Sequence, residues 1–223
     1  MPSVPVILLP DHRERAVGLL RRYFGLDGSA AFTGSRFERL GGGGDSPANA
    51  DRVTAEDIVS LSMLSIRLPG WASQRLLEDD EFSEVASAHL AKLPTDLDLV
   101  DADPETLAAG GVAAQLWSHL YQLRGVGPTT VSKLMARKRP PLIPVWDSVI
   151  QRAFGLKNSG AQWRIWRDNL AADNQRLHRD MLVLREKAGL TDEISALRIL
   201  DVVVWMAHRS PSEQGDEVAA LVG

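Results

Sequence analysis

The chain has 223 residues, enough for one large domain or two small ones with a sizeable core. Its 44% hydrophobic and 24% charged content is that of an ordinary soluble globular protein, and the absence of cysteine excludes disulfides, cysteine-ligated zinc and cysteine-ligated iron–sulfur clusters. A net charge of −4 argues against nucleic-acid binding by the whole surface but leaves room for a local basic face.

From the N-terminus, the apolar run Val6–Leu9 is too short for a signal sequence and follows no basic residue. No run approaches the ~20 apolar residues of a membrane helix. The expectation is a cytoplasmic protein with no membrane contact. Asp11 can cap a helix running to Phe24, with Val17, Leu20 and Phe24 on one face and Gly25 as its stop. Residues 27–53 then read as loop, and Gly41–Gly44 as a flexible linker or insertion. Residues 1–50 are accordingly expected to form an N-terminal helix and Gly-rich loop extension, with a helical domain over 51–223.

Thr54 and Asp57 have capping-box spacing, and Ile58, Leu61 and Leu64 follow at helical spacing until Pro69-Gly70. Trp71–Leu77 continues beyond that break. Residues 72–111 carry ten acids against Arg75 and Lys92, which reads as a solvated face. Helices are predicted at about 82–92, 103–109, 112–123 and 128–137. Another follows Pro144, and periodic segments lie near 160–171, 173–188 and 191–208. Alternating strand patterns are nearly absent. The fold class is all-α, about ten helices.

Residues 121–157 stand apart. They hold seven bases (Arg124, Lys133, Arg137, Lys138, Arg139, Arg152 and Lys157) and one acid, Asp147. Basic surface around a lone carboxylate suggests a polyanion held near a reactive group. Within the stretch, Leu123-Arg124-Gly125-Val126-Gly127 separates two predicted helices. Two glycines supply positive-φ backbone for a tight reversal, and Pro128 suits a first helical turn. Amides at such a positive helix end can converge on one phosphate. An ordinary turn between helices explains the same residues structurally.

The segment LRGVGPTTVSKLM, Leu123 to Met135, resembles the helix-hairpin-helix element of the DNA glycosylase superfamily that includes endonuclease III. In that family an essential aspartate lies 22 residues after the first hairpin glycine. Gly125 plus 22 is Asp147, and the segment Trp146-Asp147-Ser148-Val149-Ile150-Gln151-Arg152 matches the family's pattern at Asp, the hydroxyl residue, Ile and Arg. The resemblance covers residues 123–152 closely and 54–205 loosely. Leu61–Arg67 is similar to the family's early helix, with Arg67 where a DNA-contacting glutamine stands. The resemblance implies a two-lobed helical bundle that binds double-stranded DNA as a monomer, through its phosphate backbone and one flipped base.

Departures from the pattern shape the expected chemistry. The family's histidine is replaced by Val149, and the proline before the hairpin by Arg124. Bifunctional members carry an imine-forming lysine where this chain has Thr129, and a hydroxyl cannot form that imine. The resemblance therefore implies a monofunctional glycosylase without strand cleavage. Lys133, one turn on, shares the face of Thr129. No iron–sulfur cluster is expected; a sodium or potassium ion at the hairpin carbonyls is the one possible ion.

In this reading Asp147 stabilises an oxocarbenium-like sugar or activates the attacking water, and its structural alternative is an N-cap or a pair with Arg152. The implied DNA-binding set is Arg124, Gly125, Val126, Gly127, Thr130, Lys133, Arg137, Lys138 and Arg139. For the last three, the structural alternative is complementing a helix C-terminus. Arg67, Trp71 and Trp146 are candidates for stacking or filling the gap left by a flipped base, against core packing for the tryptophans. Trp163, Trp166 and Trp205 read as core. Two rival readings stand: a DNA-binding module that has lost catalysis, and an interaction protein that uses the acidic 72–111 face.

Overall fold

The computed structural model describes residues 4–210. Among them are ten α-helices and no strand: α1 (Arg13–Tyr23), α2 (Ala55–Ser62), α3 (Gly70–Glu78), α4 (Asp80–Leu90), α5 (Pro104–Leu107), α6 (Val112–Tyr121), α7 (Pro128–Lys138), α8 (Ser148–Ala153), α9 (Gln162–Ala188) and α10 (Ala196–His208). Local chemistry accounts for many of their ends. Thr54 accepts from the Asp57 amide while the Asp57 carboxylate accepts from the Thr54 amide, so α2 starts with a full capping box. Asp79, Asp103 and Asp147 cap α4, α5 and α8. Gly25 stops α1 at φ 70°, where Leu26 donates back to the Arg21 carbonyl at 2.7 Å. Non-helical backbone at Ala172–Gln175 kinks α9, at the boundary between the two predicted periodic segments.

Two apolar cores divide the molecule. One is built from α1, α8, α9 and α10 together with Ile7, Leu8 and Phe32. The other joins α2, α3, α4, α6 and α7 with Phe37, and continues through Leu142, Ile143 and Val145. The chain thus enters the first core, builds the second over residues 37–145, apart from Leu99 and Val100, which pack into the first, and returns to the first. Residues 1–50 are not an appended extension. Ile7, Leu8, Leu20, Tyr23 and Phe32 are buried against α9 and α10, because the apolar face of α1 has its partner at the far end of the sequence. The acidic 72–111 segment is the solvated face expected of it: eight of its ten acids are exposed, and Asp79 and Asp103 serve as caps.

The end of α7 departs most from the sequence reading. Arg137, Lys138 and Arg139 are each about 1% exposed or less, so they cannot neutralise phosphate. Arg137 Nε donates to Asp57 Oδ1 at 3.1 Å, and Lys138 Nζ to Asp57 Oδ2 at 2.8 Å. The Arg137 guanidinium also donates to the carbonyls of Phe37, Glu38 and Leu40. Arg139 donates to the carbonyls of Leu90, Leu93 and Ala50 and to Asp51. Burial pushes all three basic groups below their ordinary values, against the opposing pull of Asp57 and Asp51. The three side chains satisfy carbonyls of the irregular 37–51 segment, which has no sheet or α-helix and only the 3-10 turn Leu40–Gly42 of its own. Gly41–Gly44 is therefore not a linker. Gly43 and Gly44 are buried, and a β-carbon on Gly44 would lie 2.5 Å from the Arg137 carbonyl oxygen and 2.7 Å from Asp57 Oδ1.

Candidate functional site

A cavity of about 360 Å³ is lined by residues from both apolar cores. Four segments and one aromatic ring line it: Leu64–Ile66 after α2, Thr129 and Lys133 of α7, Val145 with Asp147–Val149 at the start of α8, Arg198, Asp201 and Trp205 of α10, and Tyr23 of α1. Thr129 and Lys133 reach it together because residues four apart share a helix face. Arg198, Asp201 and Trp205 do so by the i, i+3, i+7 spacing.

Asp147 sits where the cavity meets α8. Its Oδ1 accepts from the Ile150 amide at 2.9 Å, so the carboxylate caps the helix and lines the cavity at once. Two side chains unnoticed in the sequence hold the strand of chain before it. Ser132, fully buried on α7, donates to the Pro144 carbonyl at 3.0 Å and accepts from the Trp146 amide at 2.7 Å. Gln162 donates to the Val145 carbonyl at 2.7 Å. Lys133 is buried and donates to the Leu64 carbonyl at 2.9 Å, fixing the segment that carries Ser65 at φ 58°.

The hairpin lies at the N-terminus of α7. Gly125 adopts φ 79°, Val126 is buried in the second core, and the Val126 amide donates to the Leu123 carbonyl at 3.0 Å. Gly127 is the N-cap of α7 and offers no side-chain acceptor, so the first amides of the helix have no side-chain cap. A β-carbon on Gly127 would meet nothing within 4 Å. Pro69 packs beside Gly125, which brings the α2–α3 connection, with exposed Arg67 and exposed Trp71 flanking Pro69, against the hairpin. Arg124 is exposed, and Thr130 is half-buried.

Other assignments change. Trp146 is 5% exposed and belongs to the first core, so it is not a stacking surface. Trp205, taken from periodicity as core, is half-buried and lines the cavity, edge-on to Tyr23 at 6.2 Å. Of the seven bases in 121–157, Lys133, Arg137, Lys138 and Arg139 are buried; Arg124, Arg152 and Lys157 remain exposed.

The largest omission from the sequence reading is on α10. Arg198 and Asp201 are both buried and form an ion pair at the cavity wall. Arg198 also donates to the Tyr23 hydroxyl at 2.6 Å and to the Gly34 carbonyl at 2.9 Å. Glu38, buried nearby, accepts from the Ser195 hydroxyl at 2.7 Å. Burial pushes the Asp201 carboxyl up to about 6; the charge of Asp147 adds to the rise, while Arg198 and Lys133 oppose it. Desolvation likewise raises Glu38. A buried Arg-Asp pair inside a run of Val, Leu and Ile has a sequence signal, two charges on an otherwise apolar helix, but its partners come from residues 23–38.

Among the described residues no group of three or more His, Asp or Glu side chains is placed to hold a metal ion. No helix of the described residues is long and apolar enough to cross a membrane. No curated protein and no solved structure matches the chain. Residues 16–208 match a family described as a family of unknown function (DUF6308), and the chain belongs to that family.

Proposed function

We propose that this protein is a monofunctional DNA glycosylase acting on a damaged or modified base, with Asp147 as its catalytic carboxylate. One observation carries the reading: Asp147, the N-cap of α8, lines the same cavity as Thr129 of α7, the helix that begins at the Gly125–Gly127 hairpin. The uncapped amides of α7 and open space at Gly127 suit a phosphate there. With one phosphate so anchored, an extruded base enters the cavity and its sugar C1′ lies near Asp147. As the N-glycosidic bond breaks, the electron pair leaves with the base and positive charge grows on the sugar. The carboxylate stabilises that charge and orients the water whose oxygen bonds to C1′; it takes that water's proton, and the departing base anion gains one, so water is added across the bond. Thr129 supplies no amine, so the product is an abasic site in an unbroken strand. Arg67 and Trp71, exposed around Pro69 beside the hairpin, are the groups available to fill the gap in the duplex. A sodium or potassium ion at the hairpin would be held by main-chain oxygens alone.

The second reading, a DNA-binding module without catalysis, is favoured by the N-cap bond of Asp147, since a cap accounts for an aspartate there without chemistry. Incubation with duplexes each carrying one damaged or hypermodified base, followed by alkali, separates the two. A labile site made by the wild type and lost in Asp147→Asn, with duplex binding retained, supports the enzyme. Binding with no base release across the panel supports the module.

A further inference from the structure

The α10 wall of the cavity is polar where the rest of the helix is apolar. Asp201 is 3% exposed, its Oδ2 is held by Arg198, and its Oδ1 is buried without a hydrogen-bond partner. A buried, ionisable acceptor left unpaired costs free energy unless a donor arrives. The arrangement around it is fixed rather than adaptable. Arg198 is tied to Tyr23 and Gly34, and the Tyr23 ring stacks on Phe32 at 5.3 Å. Tyr23 and half-buried Trp205 add aromatic surface to the cavity lining.

We propose that Asp201 is a specificity-determining residue: the cavity takes an amino-bearing heteroaromatic base, whose exocyclic N–H donates to Asp201 Oδ1. This deepens the glycosylase reading and depends on the cavity being a base pocket. The charged and titratable groups around Asp201 come from separate elements: Arg198 on α10, Lys133 on α7, Asp147 ahead of α8, Tyr23 on α1, and Glu38 beyond Arg198. Burial holds the Asp201 carboxyl at about 6, so at pH 7.5 it is ionised and acts as an acceptor.

Asp201→Asn turns this into a test of sign as well as of strength. Arg198 has only donors, so it draws the amide oxygen to itself and leaves the amide NH2 at the cavity. The wall then changes from acceptor to donor with the shape kept. Calorimetry with free adenine and cytosine against uracil and hypoxanthine reads the preference. The wild type should bind the amino-bearing bases at least about tenfold more tightly, the scale of one hydrogen bond to a charged group. Asp201→Asn, checked for its fold by circular dichroism, should reverse that preference. Wild type without the preference, no binding of any of the four bases, or an unchanged preference in Asp201→Asn overturns the proposal. The readout needs neither DNA nor catalysis. Amino-base binding without base release from DNA sinks only the enzyme reading, and base release with an Asn-insensitive preference sinks only this one.

Discussion

Asp147 caps α8, and the proposed function gives it a second, catalytic task; substitution separates the two. Asn is as good an N-cap as Asp, so Asp147→Asn should leave stability within a few tenths of a kcal/mol while abolishing base release. Asp147→Ala should in addition cost about 1 kcal/mol in urea unfolding, because the Ile150 amide loses its acceptor. Asp57 is purely structural. Asp57→Ala leaves Arg137 and Lys138 buried without their carboxylate, and the expected loss is about 3–5 kcal/mol. Asp201 should be visible in the pH dependence of stability. Its folded value of about 6 lies above the ordinary 3.8, so the folded state binds more protons between those values. The stability of the wild type relative to Asp201→Asn should therefore be greatest below pH 4, fall as pH rises to about 6, and level off above. A flat difference across that range would show that Asp201 titrates normally. The register of Asp147 came from the resemblance over residues 123–152, which counts 22 residues on from Gly125. The role of Asp201 was not legible in the chain, because it is held by Arg198, whose own partners Tyr23 and Gly34 lie far back along the chain.

Helices declared themselves through caps, breaks and periodicity, and the capping box of α2, the glycine stop of α1 and the split of α9 all follow the local sequence. The glycine run did not. Four consecutive glycines read as flexible chain, yet Gly44 is small because the Arg137 carbonyl and the Asp57 carboxylate press against it. Gly44→Ala should destabilise the protein by about 1–3 kcal/mol, the cost of overpacking, as measured by thermal or urea unfolding. Gly127→Asp is the contrasting case. Its side chain enters open space, so the fold should persist while duplex binding weakens, because an acid then occupies the proposed phosphate position. Equal affinity of that variant and the wild type would remove the hairpin's phosphate role.

For the molecule as a whole, charge counted along the chain misjudges charge at the surface. Four of the seven bases in 121–157 are internal, bound to carbonyls of residues 37–50, of Leu64, and of Leu90 and Leu93, and to Asp57 and Asp51. With Arg67 and Arg124 as the exposed bases beside the hairpin, duplex affinity should depend only shallowly on salt, with a log–log slope of roughly −2. A slope steeper than about −5 would mean a larger basic footprint than this surface provides. Local sequence by itself determined the all-helical class, most helix ends, the hairpin and the place of Asp147, because caps, turns and periodicity act over a few residues. Tertiary structure alone decided that residues 7–32 complete the first core and that the Arg137–Arg139 run faces inward. It also decided that α10 brings a second carboxylate to the cavity of the first. Each of these depends on partners distant along the chain, and burial and charge pairing are properties of the packed molecule.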